Sequence, residues 1–305
     1  MPLIECVPNF SEGRDRTIIQ SLGDAIEAVQ GVHLLDVSSD YDHHRTVMTF
    51  IGEPEPILEA AYQAIVTAST MIDLEKHQGV HPRIGATDVV PFIPLRDASL
   101  SDCVELAKTL GELVGDELGL PVYLYEAAAT RSERQNLADV RRGGYEKLKE
   151  EIHLPHRKPD FGPATLGIAG ACVIGARQPL IAFNAYLDTK DVNIAQEIAT
   201  EIRESGGGLP FVKALGLLVN GQAQVSMNVI DFRQTSLFTI MSALHELVKK
   251  YNVTVTHTEL VGLIPQSALV NTALSYLQLP IQSRELILES RIGAETGNFK
   301  EIPFE

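Results

Sequence analysis

The sequence contains no tryptophan and only three cysteines, Cys6, Cys103 and Cys172, which are widely spaced and form no CxxC motif. An odd number of scattered thiols argues against a disulfide framework and indicates reduced structural thiols. The longest nearly continuous apolar run, Leu166 to Ala176, is far shorter than the ~20 residues that span a bilayer. The N-terminus also lacks the basic and apolar segments of a signal peptide. We therefore expect a cytoplasmic protein.

Cationic blocks are missing as well, because 25 Lys and Arg residues are outnumbered by 40 Asp and Glu residues, which gives a formal net charge of −15. Nucleic-acid binding depends on cations that neutralise phosphates, so this composition argues against a nucleic-acid partner. The glycine-rich segment 162–175 matches neither a dinucleotide fingerprint nor a P-loop. No GxSxG motif or Ser-His-Asp order is present, so covalent catalysis is not indicated.

Alternating helix and strand periodicities run through the chain. Strands are predicted over 3–10, 32–37 and 46–51, with helices over 15–29 and 57–72. From residue 180 onward the order is strand–helix–strand–strand–helix–strand, which is the ferredoxin-like split pattern, and residues 3–72 show the same opening order. The expected fold is α/β (α+β), with two ferredoxin-like subdomains that each pack helices on the outer face of a sheet. The predicted boundaries are 1–177, 178–283 and a C-terminal tail over 284–305.

Single residues give further local predictions. Ser99 or Ser101 is a good N-cap for the helix after it, and Asn220-Gly221 is a strong hairpin signal. The charged segment Arg131–Arg142 is interpreted as a solvated helix face, and the proline-rich segment 153–163 as a linker.

The stretch 77–94 combines ionisable side chains with rigid backbone and then becomes apolar. Pro82 biases His81 away from helical conformations, so His81 is expected to end an extended or turn segment. The prolines at 91 and 94 predict an edge strand or a strand end after it. An imidazole titrates near neutral pH, so His81 suits general acid–base catalysis, with a merely packed histidine as the equal alternative. A zinc pair with His77 is disfavoured because glycine and proline break the helical spacing.

The polar segment Asp40–Arg45 has two interpretations. It is either a solvated turn between strands or one wall of a polar site, with Arg45 partly buried where its strand begins. A guanidinium binds carboxylates through two parallel hydrogen bonds, which makes Arg45 a candidate for an anionic substrate.

Several motifs together resemble the glutamate formimidoyltransferase family. They include IECVPNFSEG at 4–13, HPRIGATDVVPFIP at 81–94, PDFGP at 159–163, GARQPLIAFN at 175–184, QVSMN at 224–228 and LVGLIP at 260–265. The match is collinear from Leu3 to about Tyr276. The sequence resembles the stand-alone transferase, since it continues into no cyclodeaminase domain.

The resemblance implies transfer of a formimidoyl group from N-formimidoyl-L-glutamate to N5 of tetrahydrofolate in histidine degradation and one-carbon metabolism. It implies a homodimer that needs no metal, with tetrahydrofolate as co-substrate in a groove between the subdomains. The catalytic histidine of the family's His-Pro-Arg motif corresponds to His81. The family's folate-binding loop corresponds to Gly162, Pro163, Ala164, Thr165, Leu166, Gly167, Ile168, Ala169, Gly170 and Ala171.

Charge type alone suggests helpers of two kinds at this site, a guanidinium and a carboxylate. Arg45 or Arg83 is a candidate for holding glutamate carboxylates. Asp88, or alternatively Asp36, is a candidate for pairing with the amidinium or orienting His81. Two other functions stay open, which are formyl transfer between 5-formyltetrahydrofolate and glutamate, and folate binding without catalysis.

Overall fold

Two separate β-sheets organise the described chain, which comprises residues 1–296 of a computed structural model. Unit 1 contains residues 1–179 together with the short segments 217–222 and 261–263. Unit 2 contains the remaining described residues from 180 to 296. The expected α/β class with two sheet-bearing subdomains is confirmed.

The sheet of unit 1 has seven strands. They are β1 (Leu3–Cys6), β2 (Asn9–Phe10), β3 (His33–Asp40), β4 (Arg45–Gly52), β5 (Thr87–Arg96), β6 (Val122–Glu126) and β7 (Cys172–Ala176). β1 and β2 both lie between β4 and β5, and β3 pairs with the outer side of β4. These five strands have the ferredoxin-like order. β7 and β6 extend the sheet from β5 as parallel strands, which the split pattern did not predict.

Pro8 and Pro91 interrupt the regular strand pairing at the centre of this sheet. The single strand predicted over 3–10 is divided, because Val7 and Pro8 separate β1 from β2. The edge position predicted for the strand containing Pro91 is wrong, since β5 pairs with β1 and β2 on one side and with β7 on the other. Pro91 lies opposite the break, where its carbonyl accepts a hydrogen bond from Val7 N at 3.3 Å. The ladder is already interrupted there, so the missing proline donor is tolerated.

Helices cover the unit 1 sheet on both faces. They are α1 (Arg16–Glu27), α2 (Pro54–Met71), α3 (Leu100–Glu117), α4 (Leu137–Val140) and α5 (Gly144–Glu151). The first three pack on the main core, whereas α4 and α5 pack with the opposite side of β5, β6 and β7. The predicted Ser99 cap of α3 is confirmed, because its hydroxyl accepts from Asp102 N at 3.2 Å while the Asp102 carboxylate accepts from Ser99 N at 2.7 Å.

Unit 2 has a four-stranded sheet with the ferredoxin-like order β11-β8-β10-β9. Its elements are β8 (Ile181–Leu187), α6 (Val192–Ile202), β9 (Val212–Val219), β10 (Gln222–Val229), α7 (Leu237–Lys250), β11 (Val255–Val261), α8 (Gln266–Tyr276) and α9 (Leu288–Thr296). The predicted hairpin is confirmed, with Asn220 at φ 51° and Gly221 at φ 71° joining β9 to β10.

The segment predicted as a tail includes α9, and residues 297–305 lie outside the described chain. Cys6, Cys103 and Cys172 are free and buried, as expected for structural thiols. Within residues 1–296 no helix is both long and apolar enough to cross a membrane.

Candidate active site

The backbone that follows His81 is fixed by contacts from two other segments of unit 1. The side chain of Ser11 donates to Gly85 O at 2.7 Å, and its N–H donates to Ala86 O at 2.8 Å. Ala171 N donates to Ile84 O at 2.9 Å. The rigid turn predicted from Pro82 therefore leads directly into β5.

His81 is half-buried and has two partners on one ring nitrogen. Its Nδ1 lies 2.8 Å from Pro82 O and 3.1 Å from Arg45 Nη1. The carbonyl requires a proton on Nδ1, whereas the guanidinium requires a lone pair there, so each neutral tautomer has a partner. Burial lowers the pKa of His81 well below 6.5, and the cations of Arg45 and Arg141 lower it further. The imidazole is therefore neutral at pH 7.

Arg45 is held from two sides where β4 begins. Its Nε and Nη2 donate to Asn9 Oδ1 at 3.0 and 2.8 Å, and its Nη1 donates to Asp88 Oδ2 at 2.8 Å. Burial lowers the pKa of Arg45 to about 10, so the side chain remains a cation at neutral pH. The predicted burial of Arg45 at the start of its strand is confirmed, whereas its place in the wall of a substrate site stays a prediction.

Asp88 is fully buried in β5. Its Oδ1 accepts from Ile84 N at 2.9 Å, and its Oδ2 faces both Arg45 at 2.8 Å and Arg141 at 2.5 Å. Burial raises the pKa of Asp88, but the two guanidiniums and the Ile84 amide outweigh burial and lower it. Asp88 is therefore an anion whose oxygens are already engaged by protein groups.

The solvated helix face predicted for Arg131–Arg142 is wrong for two of its arginines. Arg134 is buried and pairs with Asp160, while Arg141 reaches Asp88. The segment 153–163 is no linker either, because Asp160 also accepts from Leu124 N at 2.8 Å inside unit 1. The first error arises because a charged pattern does not reveal which of its members has a buried counter-ion. The second arises because prolines mark irregular backbone without showing what that backbone packs against.

Arg83 lies in a neighbouring group. Its Nε donates to His77 Nδ1 at 2.9 Å, and its Nη1 and Nη2 contact both oxygens of Glu146 at 3.1 and 2.9 Å. His77 Nε2 contacts His44 O at 2.9 Å, so both ring nitrogens of His77 are occupied. Burial, together with the charges of His44 and Arg83, lowers the pKa of His77 to about 4.

The loop 162–171 runs beside the turn that carries His81. Ala86 N donates to Ala169 O at 2.8 Å, and Gly85 forms a bridge with Gly170. Gly170 has φ +71°, and a Cβ there would lie 2.2 Å from Ile84 O, so only glycine fits this close approach. The first seven loop residues are mainly exposed. The structure therefore brings the predicted loop and the predicted catalytic stretch together.

His81, Arg45, Asp88, Asn9 and Arg141 form one polar cluster. Sequence reasoning missed two of its members, Asn9 and Arg141. Asn9 is part of the quoted IECVPNFSEG motif, but only the β2–β4 pairing shows that it faces Arg45. Arg141 gave no local signal, because its position at the end of the one-turn helix α4 depends on tertiary packing.

Known protein families match this chain over nearly its whole length. A family model for the formiminotransferase domain, N-terminal subdomain, matches residues 3–177, and a formiminotransferase domain model matches residues 182–292. A glutamate formimidoyltransferase of Thermoplasma acidophilum is 45% identical over 96% of this chain and 98% of its own length. One of Streptococcus pyogenes is 44% identical over 91% of this chain and 94% of its own. The formimidoyltransferase-cyclodeaminase of Rattus norvegicus is 43% identical over 90% of this chain but 52% of its own.

These matches cover both units at identities far above those at which family membership is in question. The enzyme character predicted from the motifs is confirmed, because the matched relatives are transferases by name. The chain belongs to the formiminotransferase family.

Proposed function

We propose that this protein transfers the formimidoyl group of N-formimidoyl-L-glutamate to N5 of tetrahydrofolate, releasing L-glutamate. The observation that carries the proposal is a neutral, half-buried His81 in a rigid polar cluster of a chain whose full-length relatives are named for this transfer. Tetrahydrofolate is a co-substrate here, and the route we propose uses no metal.

The chemistry requires one proton to be moved twice. N5 of the folate attacks the amidine carbon and forms a C–N bond, which gives a tetrahedral carbon bearing three nitrogens. The attacking nitrogen then gives its proton to the imidazole. The same proton passes to the glutamate nitrogen as its C–N bond breaks. One base with a pKa below neutral performs both steps, since it is free to accept a proton and readily returns it.

The contacts of His81 suit this shuttle. When Pro82 O accepts a proton held on Nδ1, the lone pair is on Nε2, and that nitrogen acts as the base. Arg45 opposes permanent protonation of the ring through its positive charge. We therefore assign the proton transfer to His81 Nε2.

The remaining predicted residues take supporting roles in this proposal. Arg45 and Asp88 position the imidazole, because their hydrogen-bonding atoms are already engaged within the cluster. Arg83 fixes the turn through His77 and Glu146, although substrate binding by Arg45 or Arg83 stays a prediction. The exposed part of the loop 162–171 binds the folate. Fixing two reactants in place supplies up to ~7–11 kcal/mol of the barrier reduction.

The test supplies purified protein with tetrahydrofolate and one donor at a time. We expect 5-formimidoyltetrahydrofolate to form with N-formimidoyl-L-glutamate, and little reaction between 5-formyltetrahydrofolate and L-glutamate. Turnover with the formyl pair alone contradicts the proposal. Folate binding without turnover of either pair also contradicts it, and favours a binding protein instead.

The cytoplasmic location and the homodimer stay predictions from the sequence. Light scattering of the purified protein tests the dimer, since a monomer has a mass of 33.3 kDa. A single species of that mass at working concentration contradicts it.

A further inference from the structure

Arg141 contributes a second guanidinium next to Asp88, and the proposed proton transfer does not use it. Its Nη2 lies 2.5 Å from Asp88 Oδ2, the oxygen that also accepts from Arg45. Two cations therefore share one carboxylate. His81 is neutral at pH 7 and Asn9 carries no charge, so the cluster has one positive charge in excess.

An excess buried charge is unfavourable unless a counter-ion compensates it. Within residues 1–296 no carboxylate other than Asp88 pairs with either guanidinium. The chain therefore does not complete this charge balance from its own described residues. An anionic group of a ligand would complete it.

The two guanidiniums differ in how many of their nitrogens already have a hydrogen-bond partner. Arg45 uses all three nitrogens on Asn9, Asp88 and His81. Arg141 pairs with Asp88 through Nη2 alone, and its buried Nε has no hydrogen-bond partner among the described residues. Its Nε and Nη2 are both buried, while the side chain as a whole is 11% exposed. Nη1, which has no hydrogen bond among the described residues, is therefore the nitrogen left for a ligand. Arg141 is thus the cation with unused donors.

The backbone holds Arg141 near the His81 turn. Arg141 O accepts from Gly144 N at 2.8 Å, and the next residue, Tyr145, donates its N–H to Arg83 O at 3.0 Å. The chain makes this tight reversal through Gly143 at φ 86° and Gly144 at φ 70°. The backbone that carries Arg141 is therefore anchored to the His81 turn, as a specific binding group requires.

We propose that Arg141 binds the α-carboxylate of the formimidoyl donor and so determines donor specificity, an inference that rests on the proposed function. A guanidinium with unused N–H groups matches a carboxylate in shape and charge. The contacts from His81 to Arg45, Asp88 and Arg141 are consecutive, which places the carboxylate site beside the proton shuttle.

A carboxylate also occurs in the glutamate tail of folate, but connectivity favours the donor. The α-carboxylate of the donor is attached to the carbon that bears the departing nitrogen, which must reach His81. The tail carboxylates of folate are separated from N5 by the p-aminobenzoyl group. A carboxylate close to the reacting centre is therefore that of the donor.

The test measures kcat and KM for each substrate in Arg141→Met, with Arg141→Lys as the charge-retaining variant. The neighbouring Arg142→Met is the matched control, because that side chain is exposed and pairs with Asp139. We expect KM for N-formimidoyl-L-glutamate to rise about tenfold to a hundredfold in Arg141→Met, as for loss of a charged hydrogen bond. Arg141→Lys should recover part of this loss, and KM for tetrahydrofolate should stay unchanged.

Altered ligands give the same test without a protein variant. The α-amide of the donor should show the raised KM with the unchanged protein, while Arg141→Met should no longer distinguish acid from amide. If Arg141→Met instead raises KM for tetrahydrofolate but not for tetrahydropteroate, the tail is the partner and the donor assignment is wrong. Unchanged KM values for all substrates also overturn it. Absence of any transfer by the unaltered protein contradicts the proposed function instead.

Discussion

Nδ1 of His81 lies 3.1 Å from Nη1 of Arg45, and no carboxylate contacts the imidazole directly among the described residues. A carboxylate partner would raise the pKa of an imidazole, whereas this cation lowers it. Asp88 acts one step away by holding the guanidinium at 2.8 Å. The arrangement therefore maintains a neutral base.

Arg45→Met tests this electrostatic effect through the pH dependence of kcat/KM. Protonated His81 cannot accept a proton, so activity falls as the pH drops through its pKa. In the unaltered protein that fall lies well below pH 6.5, because burial and the two arginines lower the pKa. Removing one cation raises the pKa, so the fall moves to higher pH. Arg142→Met is the reference variant. If kcat/KM falls at the same low pH in Arg45→Met as in this reference, the account is contradicted.

Asp88→Asn should destabilise the fold strongly. The substitution leaves Arg45 and Arg141 without their shared anion inside unit 1, which costs ~3–5 kcal/mol of unfolding free energy. Asp139→Asn removes the exposed partner of Arg142 and should cost only ~0–1 kcal/mol. Urea unfolding of both variants measures the difference. Equal stabilities would show that the buried charges are compensated in another way.

Gly170→Ala should detach the loop from the His81 turn. The added Cβ would lie 2.2 Å from Ile84 O, and the residue has φ +71°. Gly119→Ala is the control, because Gly119 has φ +61° with nothing within 4 Å of its Cβ. The control isolates the backbone strain of about 1 kcal/mol, and Gly170→Ala should exceed it by at least ~1 kcal/mol. Similar melting temperatures for the two variants argue against the close approach.

His77 makes the free energy of unfolding depend on pH between about 4 and 6.5. Its pKa is about 4 in the folded protein and near 6.5 in an unfolded chain. Between these values the unfolded chain binds a proton that the folded protein excludes, so stability present above pH 6.5 is lost as the pH falls toward 4. From pH 7 to pH 4 the unaltered protein should lose ~3 kcal/mol more than His77→Gln. Parallel losses in both proteins would contradict this assignment.

Much of the fold was accessible from local sequence signals. Ser99 and Asp102 predict a capping box because both hydrogen bonds are local, and Asn220-Gly221 predicts a hairpin because both residues tolerate positive φ. The ferredoxin-like order follows from the alternation of periodicities. Pro91 was misplaced because tolerance of its missing donor depends on a break in the neighbouring strand.

The site was accessible only in part. His81 was predicted from its motif, and the rigidity of its turn from Pro82. Arg141 was misinterpreted because it lies in a segment dense in charges. Its ion-pair partner, Asp88, is 53 positions away in the sequence. The roles of Asn9 and Arg141 could not be predicted from the sequence. The partner of Asn9 follows from strand register, and that of Arg141 from tertiary packing.

The assignment of His81 as the proton shuttle is tested most directly by His81→Ala, with single-turnover transfer and folate binding measured on the same preparation. We expect the transfer rate to fall by ~10²–10⁴-fold, the usual contribution of a general acid–base group. Folate affinity should stay within about threefold of the unaltered protein, since the loop 162–171 carries that binding in our proposal. Near-normal transfer in the variant would contradict the central claim. Loss of folate binding would equally contradict it, by making His81 a binding residue.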